Sequence, residues 1–433
     1  MKKLVALLLA VMLIVPSAIA LGESSDGKVL NIYCWNDEFK TRFEKFYQVP
    51  EGVTVNWVTT PSQDNAYQNA LDAALLNQDA AAADEKVDMF LVEADYALKY
   101  CNSPYTLDVY GTVGLAEEDT KDMYQYTKDI MTADGVLKGV SWQACPAGMI
   151  YRRSFAKEVL GTDDPAEVQQ MVSDWDKFDA MAAKMKEGGY FMVSGYDDDF
   201  SIFSDNMSGP WVKDGMVQRD ASIEKWIEQT KLYTDNGYNN KASLWSPESM
   251  AGAGPDGKVF CYFGPSWFID FSIGGWSLAD ANAAKEAGNG TFGDWAFCQG
   301  PQGFSWGGTW ICAAAGTDNL DLVKDIMFKM TCEKETLVAI AQEYSDFTNS
   351  VPAMEEMAAS DYNCAFLGGQ NYLGLMLENA KGISRANITG YDQTCREQIQ
   401  AAMKDYYDGN VDLETAWGNF YTAVEEKHPE LTH

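Results

Sequence analysis

The chain has 433 residues, 46% of them apolar and 13% aromatic, with 64 acidic against 32 basic side chains for a net charge of −32. That apolar content excludes a disordered chain, and the negative field excludes nucleic acid and anionic membrane surfaces as partners. A chain of this length exceeds what one hydrophobic core supports, so two lobes are expected.

The first twenty residues form a signal peptide. Lys2 and Lys3 precede an apolar run from Leu4 to Val15, then Pro16 and a small-x-small ending at Ala18-Ile19-Ala20. The run is shorter than the ~20 residues a spanning helix needs. Leu21 and Gly22 follow where a lipidated Cys would stand, so a lipid anchor is not expected, and the chain is expected to be exported to a periplasm or cell surface.

Beyond that segment, strands and helices alternate. Val29 to Cys34 is a buried-strand pattern, followed by a helix over Glu38 to Phe46 with Phe39, Phe43 and Phe46 on one face. Val53 to Val58 is a second strand, Asn65 to Asn77 a helix, and Val87 to Val92 a third strand. Asp64 is placed either to cap that second helix or to meet a ligand. Such alternation predicts a parallel sheet covered on both faces, with ligands gathering beyond the carboxyl ends of its strands.

Farther along, Leu137 to Trp142 and Cys145 to Tyr151 form an extended crossing between lobes. Asp174 is positioned to cap a helix over Trp175 to Met185, and Ser222 to Asn236 is another helix. Strands are expected at Tyr190–Ser194, Lys258–Phe263 and Thr309–Ala315, and a helical region after Val351-Pro352. Asp197-Asp198-Asp199 lacks the glycine and distant glutamate of a calcium loop and is expected in a solvated or ligand-facing loop.

Catalysis has little to stand on. His428 and His433 are the only histidines, and no nucleophile-elbow, zinc or nucleotide motif is present. The nine cysteines are odd in number, scattered and without CxxC pairs. Most are expected as buried apolar residues, with one or two disulfides left open. No metal or cofactor is expected.

Aromatic and acidic residues at strand ends are the stronger signal. Trp35, Asn36 and Asp37 follow the first strand, and Glu93 and Asp95 the third. Trp142 lies on the crossing, Trp267 follows a strand end, and Trp306 precedes Gly307-Gly308. An indole face covers the C–H side of a sugar ring while carboxylates and amides accept from its hydroxyls. The same groups would also suit an amine or peptide ligand through cation–π contact. A glycoside hydrolase would instead need two of the carboxylates spaced across the cleft. A purely structural surface protein would need no hinge.

Taken together, LNIYCWND, VDMFLVEADYALKY, LKGVSWQACPAGMIYRRSFAKEVLG, GKVFCYFGPSWFID and GGTWICAAAGTDNLDLVKDIMFKM, in this order, resemble extracellular solute-binding protein family 1, the sugar-binding receptors of ABC importers. The resemblance implies a two-lobed α/β fold of the periplasmic-binding-protein type (type II), with ligand held between lobes joined by a hinge. It places one lobe at 26–137 and 308–350, and the other at 138–307 and 351–433. It implies a non-enzymatic monomer that takes up a small molecule and delivers it to permease subunits in the membrane. Contacts would come from Trp35, Asn36, Asp37, Asp64, Glu93, Asp95, Trp142, Trp267 and Trp306. The crossing departs from the family pattern, with Ile150-Tyr151-Arg152-Arg153 after Pro146.

Overall fold

A computed structural model describes residues 29–433; the expected signal peptide lies outside the described residues. Among the described residues no helix is long and apolar enough to cross a membrane. The fold is α/β, with two principal sheets and helices packed around them.

The first sheet is built from β1 (Val29–Cys34), β2 (Thr54–Thr59) and β3 (Met89–Glu93), with Thr309–Ala313 and Val140–Ser141 completing it. β1 pairs in parallel with both β2 and β3, with Ile32 opposite Trp57 and Met89. Met89, Phe90, Leu91 and Val92 are all essentially inaccessible, because β3 is covered on both faces. The sheet is mixed rather than parallel throughout. Thr309–Ala313 returns from the other half of the molecule and so meets β3 antiparallel, setting Thr309 opposite Glu93. Val140–Ser141, expected on the crossing and in the 138–307 lobe, instead hydrogen-bonds into this sheet, through Thr309–Ala313.

The second sheet centres on Pro146–Arg152, flanked antiparallel by Cys261–Pro265 and Trp295–Cys298, with Phe304–Ser305 on its first residues. Trp226 and Trp295 are fully buried and Trp175 nearly so in this half, while Trp310 on the first sheet is 3% exposed. Asp174 caps Trp175–Glu187 through the amide of Lys177 as the sequence predicts.

Three chain crossings join the halves and are stitched to one another. The Ala144 amide donates to Phe347 O (3.1 Å), that of Asn349 to Trp142 O (2.7 Å), and that of Trp306 to Cys145 O (3.2 Å). Gly308 sits in the third of these at φ +113°, where a Cβ would meet the Trp310 ring at 3.2 Å and Cys145 Sγ at 3.5 Å. Gly308→Ala should therefore cost on the order of 1–3 kcal/mol of stability, read from the denaturant midpoint.

All nine cysteines are free thiols, and eight are buried. The disulfides left open by the sequence are absent among the described residues, and the apolar reading of these side chains holds. The Asp197-Asp198-Asp199 loop, expected to be solvated or ligand-facing, is instead folded inward, with Asp198 and Asp199 only 5% and 4% exposed. It closes the end of Val193–Gly195: Asp198 accepts from the Gly195 amide, and Asp197 Oδ1 from that of Leu244 at 2.7 Å. Burial therefore pushes all three carboxyls upward, Asp199 to about 7.

Candidate functional site

Between the two sheets lies a cavity of about 770 Å³, at the carboxyl ends of β1 and β3. Parallel strands deliver their following loops to one edge, and the antiparallel Thr309–Ala313 brings its preceding residues there. Seven of the nine residues singled out in the sequence line it: Trp35, Asn36, Asp64, Glu93, Asp95, Trp267 and Trp306.

The first wall starts at Trp35, whose ring leans on Tyr67 (centroids 5.6 Å) and Tyr96 (6.1 Å). Tyr67 is itself fixed by donating to Leu91 O at 2.6 Å, so the platform is braced from the core. Asn36 Oδ1 accepts from the Glu38 amide (3.0 Å) and so opens the helix α1 (Glu38–Phe46). Asp37 is exposed beside it and does not reach the cavity lining. Asp64 does not cap α2 (Ala66–Leu76): it and Asn65 are both left-handed, at φ 53° and 60°, and Asp64 is exposed at the cavity edge.

Trp142 belongs to the core. It is 0% exposed and packs on Phe39 with centroids 5.1 Å apart. Its neighbour Gln143 lines the cavity instead and donates to Glu38 Oε1 at 2.6 Å. Successive side chains of an extended segment point to opposite sides, so the crossing presents one residue to the core and the next to the cleft. Burial, opposed by Arg42 and reinforced by Asp346, pushes Glu38 up to about 7.

The second wall is aromatic. Trp267 donates through Nε1 to Trp306 O (3.2 Å), and the two rings lie 5.0 Å apart. Trp245, unforeseen, completes the group at 6.4 Å from Trp267 and 5.8 Å from Trp306. It is 44% exposed at φ 70°, on a turn before the Ser246 cap of Pro247–Ala253. Phe271, also unforeseen, is 61% exposed on the same cavity.

Two carboxylates stand at the end of β3. Glu93 Oε2 accepts from the Asp95 amide (2.7 Å), and burial together with the Asp95 charge pushes Glu93 up to about 8. Asp95 faces Arg396 at 3.7 Å across the cleft, and Gln393 reaches Asn65 Oδ1 at 3.4 Å. These contacts bridge the two halves. From Asp95, Trp306 and Gly307 a second chamber of about 220 Å³ continues toward Arg385 and Asp205. Groups of three or more metal-ligating side chains suited to an ion do not occur among the described residues.

Residues 39–363 match the sequence profile of a family described as bacterial extracellular solute-binding protein. No curated protein matches in sequence. Among solved structures, the fold is similar to a protein described as extracellular solute-binding protein family 1, at TM-score 0.72 and 14% identity over 92% of this chain and 99% of that one. It is also similar to the ABC transporter associated binding protein from B. animalis subsp. lactis Bl-04 in complex with beta-1,6-galactobiose. That match has TM-score 0.70 and 15% identity, covering 94% and 99% of the two chains. The sugar-binding protein MalE from Xanthomonas citri aligns at TM-score 0.68 and 12% identity, covering 93% and 98%. At such identities the likeness is one of fold.

Proposed function

Because the chain belongs to the bacterial extracellular solute-binding protein family, we propose that it is the capturing component of an ABC importer, closing two lobes over a carbohydrate. The observation that carries this reading is a cavity with aromatic platforms on both walls, Trp35 on one and Trp245, Trp267 and Trp306 on the other, with carboxylates between them. Rings on both sides can cover both faces of a sugar, and the carboxylates and amides can accept from its hydroxyls. Structural neighbours described as binding sugars support it.

A ligand touching both walls favours the closed arrangement in proportion to its contacts there. The hinge in this reading is the stitched set of crossings, with 26–137 and 308–350 on one side and 138–307 and 351–433 on the other. Val140 and Ser141 then go with the first side, since they pair with Thr309–Ala313. Capture without catalysis suits the placement of the histidines, because His428 pairs with Thr394 and His433 with Glu425, neither on the cavity lining. The exported protein would act in a periplasm or at a cell surface.

The test is Trp267→Ala with calorimetric titration of a saccharide found by thermal-shift screening. Loss of the platform should weaken binding by about 1–3 kcal/mol, roughly ten- to a hundredfold. Unchanged affinity would remove Trp267 from the site.

A further inference from the structure

The cleft holds more negative charge than its own cations offset. Glu38, Asp64, Glu93, Asp95 and Glu397 reach the lining, against Lys427 alone. Three of the five have a partner: Arg42 lies 3.9 Å from Glu38, Arg396 3.7 Å from Asp95 and Lys427 3.5 Å from Glu397. Among the described residues Glu93 has no ion-pair partner of its own. Arg396 acts on it only at a distance, being also engaged by Ser204 (2.8 Å) and Ser201 (3.2 Å).

The two oxygens of Glu93 differ. Oε2 is held by the Asp95 amide, while Oε1 faces the bare backbone of Gly307. A Cβ built on Gly307 would lie 3.4 Å from Glu93 Oε1 and 3.4 Å from Cζ2 of Trp267. Glycine at this point, at φ 68°, thus keeps a slot open on the cavity with a carboxylate oxygen on one flank and an indole on the other. Trp306 is the next residue back, its ring 5.0 Å from that of Trp267.

A carboxylate oxygen beside unfilled space can hold an alkylammonium by a charge-assisted hydrogen bond, while the Cζ2–Nε1 side of the indole that borders the same space can cover the adjoining carbons. An ammonium can draw Glu93 into its ionised form and supply the counter-charge, whereas a neutral hydroxyl supplies none and meets a carboxyl that keeps its proton. We propose that the carbohydrate taken by this cleft carries an ammonium group, as an amino-sugar unit, seated over Gly307 between Glu93 and Trp267. This rests on the sugar-capture reading and narrows it. The high position of Glu93, at about 8 through desolvation and the neighbouring Asp95 charge, fits a carboxyl that lacks its counter-charge.

The experiment is calorimetric titration at pH 7 with β-linked dimers of glucosamine and of galactosamine, their N-acetylated forms, cellobiose, lactose and spermidine. At least one free-amine dimer should bind about tenfold or more tighter than its N-acetylated form. Glu93→Gln, which preserves shape, should erase most of that advantage, so that the free-amine dimer and its N-acetylated form bind within about twofold of each other. Gly307→Ala, filling the slot, should do the same with Glu93 intact. Equal or tighter binding of the neutral dimers, with no discrimination lost in Glu93→Gln, overturns the ammonium assignment and leaves sugar capture standing. Tight spermidine binding with no sugar bound overturns both the proposal and the sugar reading. Failure of every amine-bearing probe to bind also overturns the proposal.

Discussion

Asp346→Ala should destabilise the fold by about 3–5 kcal/mol, the cost of leaving the buried Arg42 charge with only the more distant Glu38, at 3.9 Å, to face it. Asp346 is 1% exposed and grips Arg42 with two parallel bonds, Nε to Oδ2 and the terminal nitrogen to Oδ1, both 2.9 Å. The guanidinium also lies 4.2 Å from the centroid of the Tyr344 ring, so it has no route to water when the carboxylate is removed. The pair ties α1 to the crossing at Phe347, and its loss should loosen the first wall as well as the fold. Urea unfolding followed by tryptophan fluorescence reads the change in midpoint. The double variant Arg42→Met with Asp346→Leu should recover much of the loss, because neither member of the pair then leaves a buried charge and Glu38, deprived of Arg42, can take up a proton.

Asp199→Asn should raise stability at pH 8 by up to about 4 kcal/mol and change it little at pH 4. The side chain is 4% exposed, with Asp179 and Asp197 adding to the burial that lifts it to about 7. A carboxyl raised in the folded state binds its proton more tightly there than in the unfolded chain. Its contribution is complete below the unfolded value near 4 and is lost as pH rises through 7. Melting temperatures across pH 4 to 8 should therefore fall in the wild type and fall less steeply in the variant. Some slope should persist, since burial also lifts Glu38 to about 7 and Asp392 to about 6. A variant with the wild-type slope would place the titration elsewhere.

The elements nearest the first wall were legible because hydrophobic spacing and loop chemistry agree there. β1 and α1 have the predicted bounds, and Trp35 and Asn36 after β1, with Glu93 and Asp95 at the end of β3, reach the cleft as the strand-end rule requires, while Asp37 turns to solvent. Trp142 falls in the core rather than the cleft because composition marks a crossing without giving the phase of its alternation. Trp245 carried a usable signal, a tryptophan in the short turn before Ser246-Pro247, but its proximity to Trp267 and Trp306 is a tertiary fact. Gln393, Glu397 and Lys427 line the cleft from helices near the end of the chain, and helical spacing cannot say which distant surface they face. The acidic triplet is not legible as buried, since a run of aspartates carries no mark of the backbone amides, those of Gly195 and Leu244, that claim it.

The buried thiols give this protein a built-in clock for its own opening. Cys145 lies at the crossing at φ 54°, 2% exposed, with burial holding its thiol well above the usual range. It is thus both shielded and weakly nucleophilic while the hinge is intact. An alkylating dye should mark it only during excursions that unpick the contacts to Trp306 and Gly308. The labelling rate of that one side chain, followed by mass spectrometry, would time the hinge without any engineered probe.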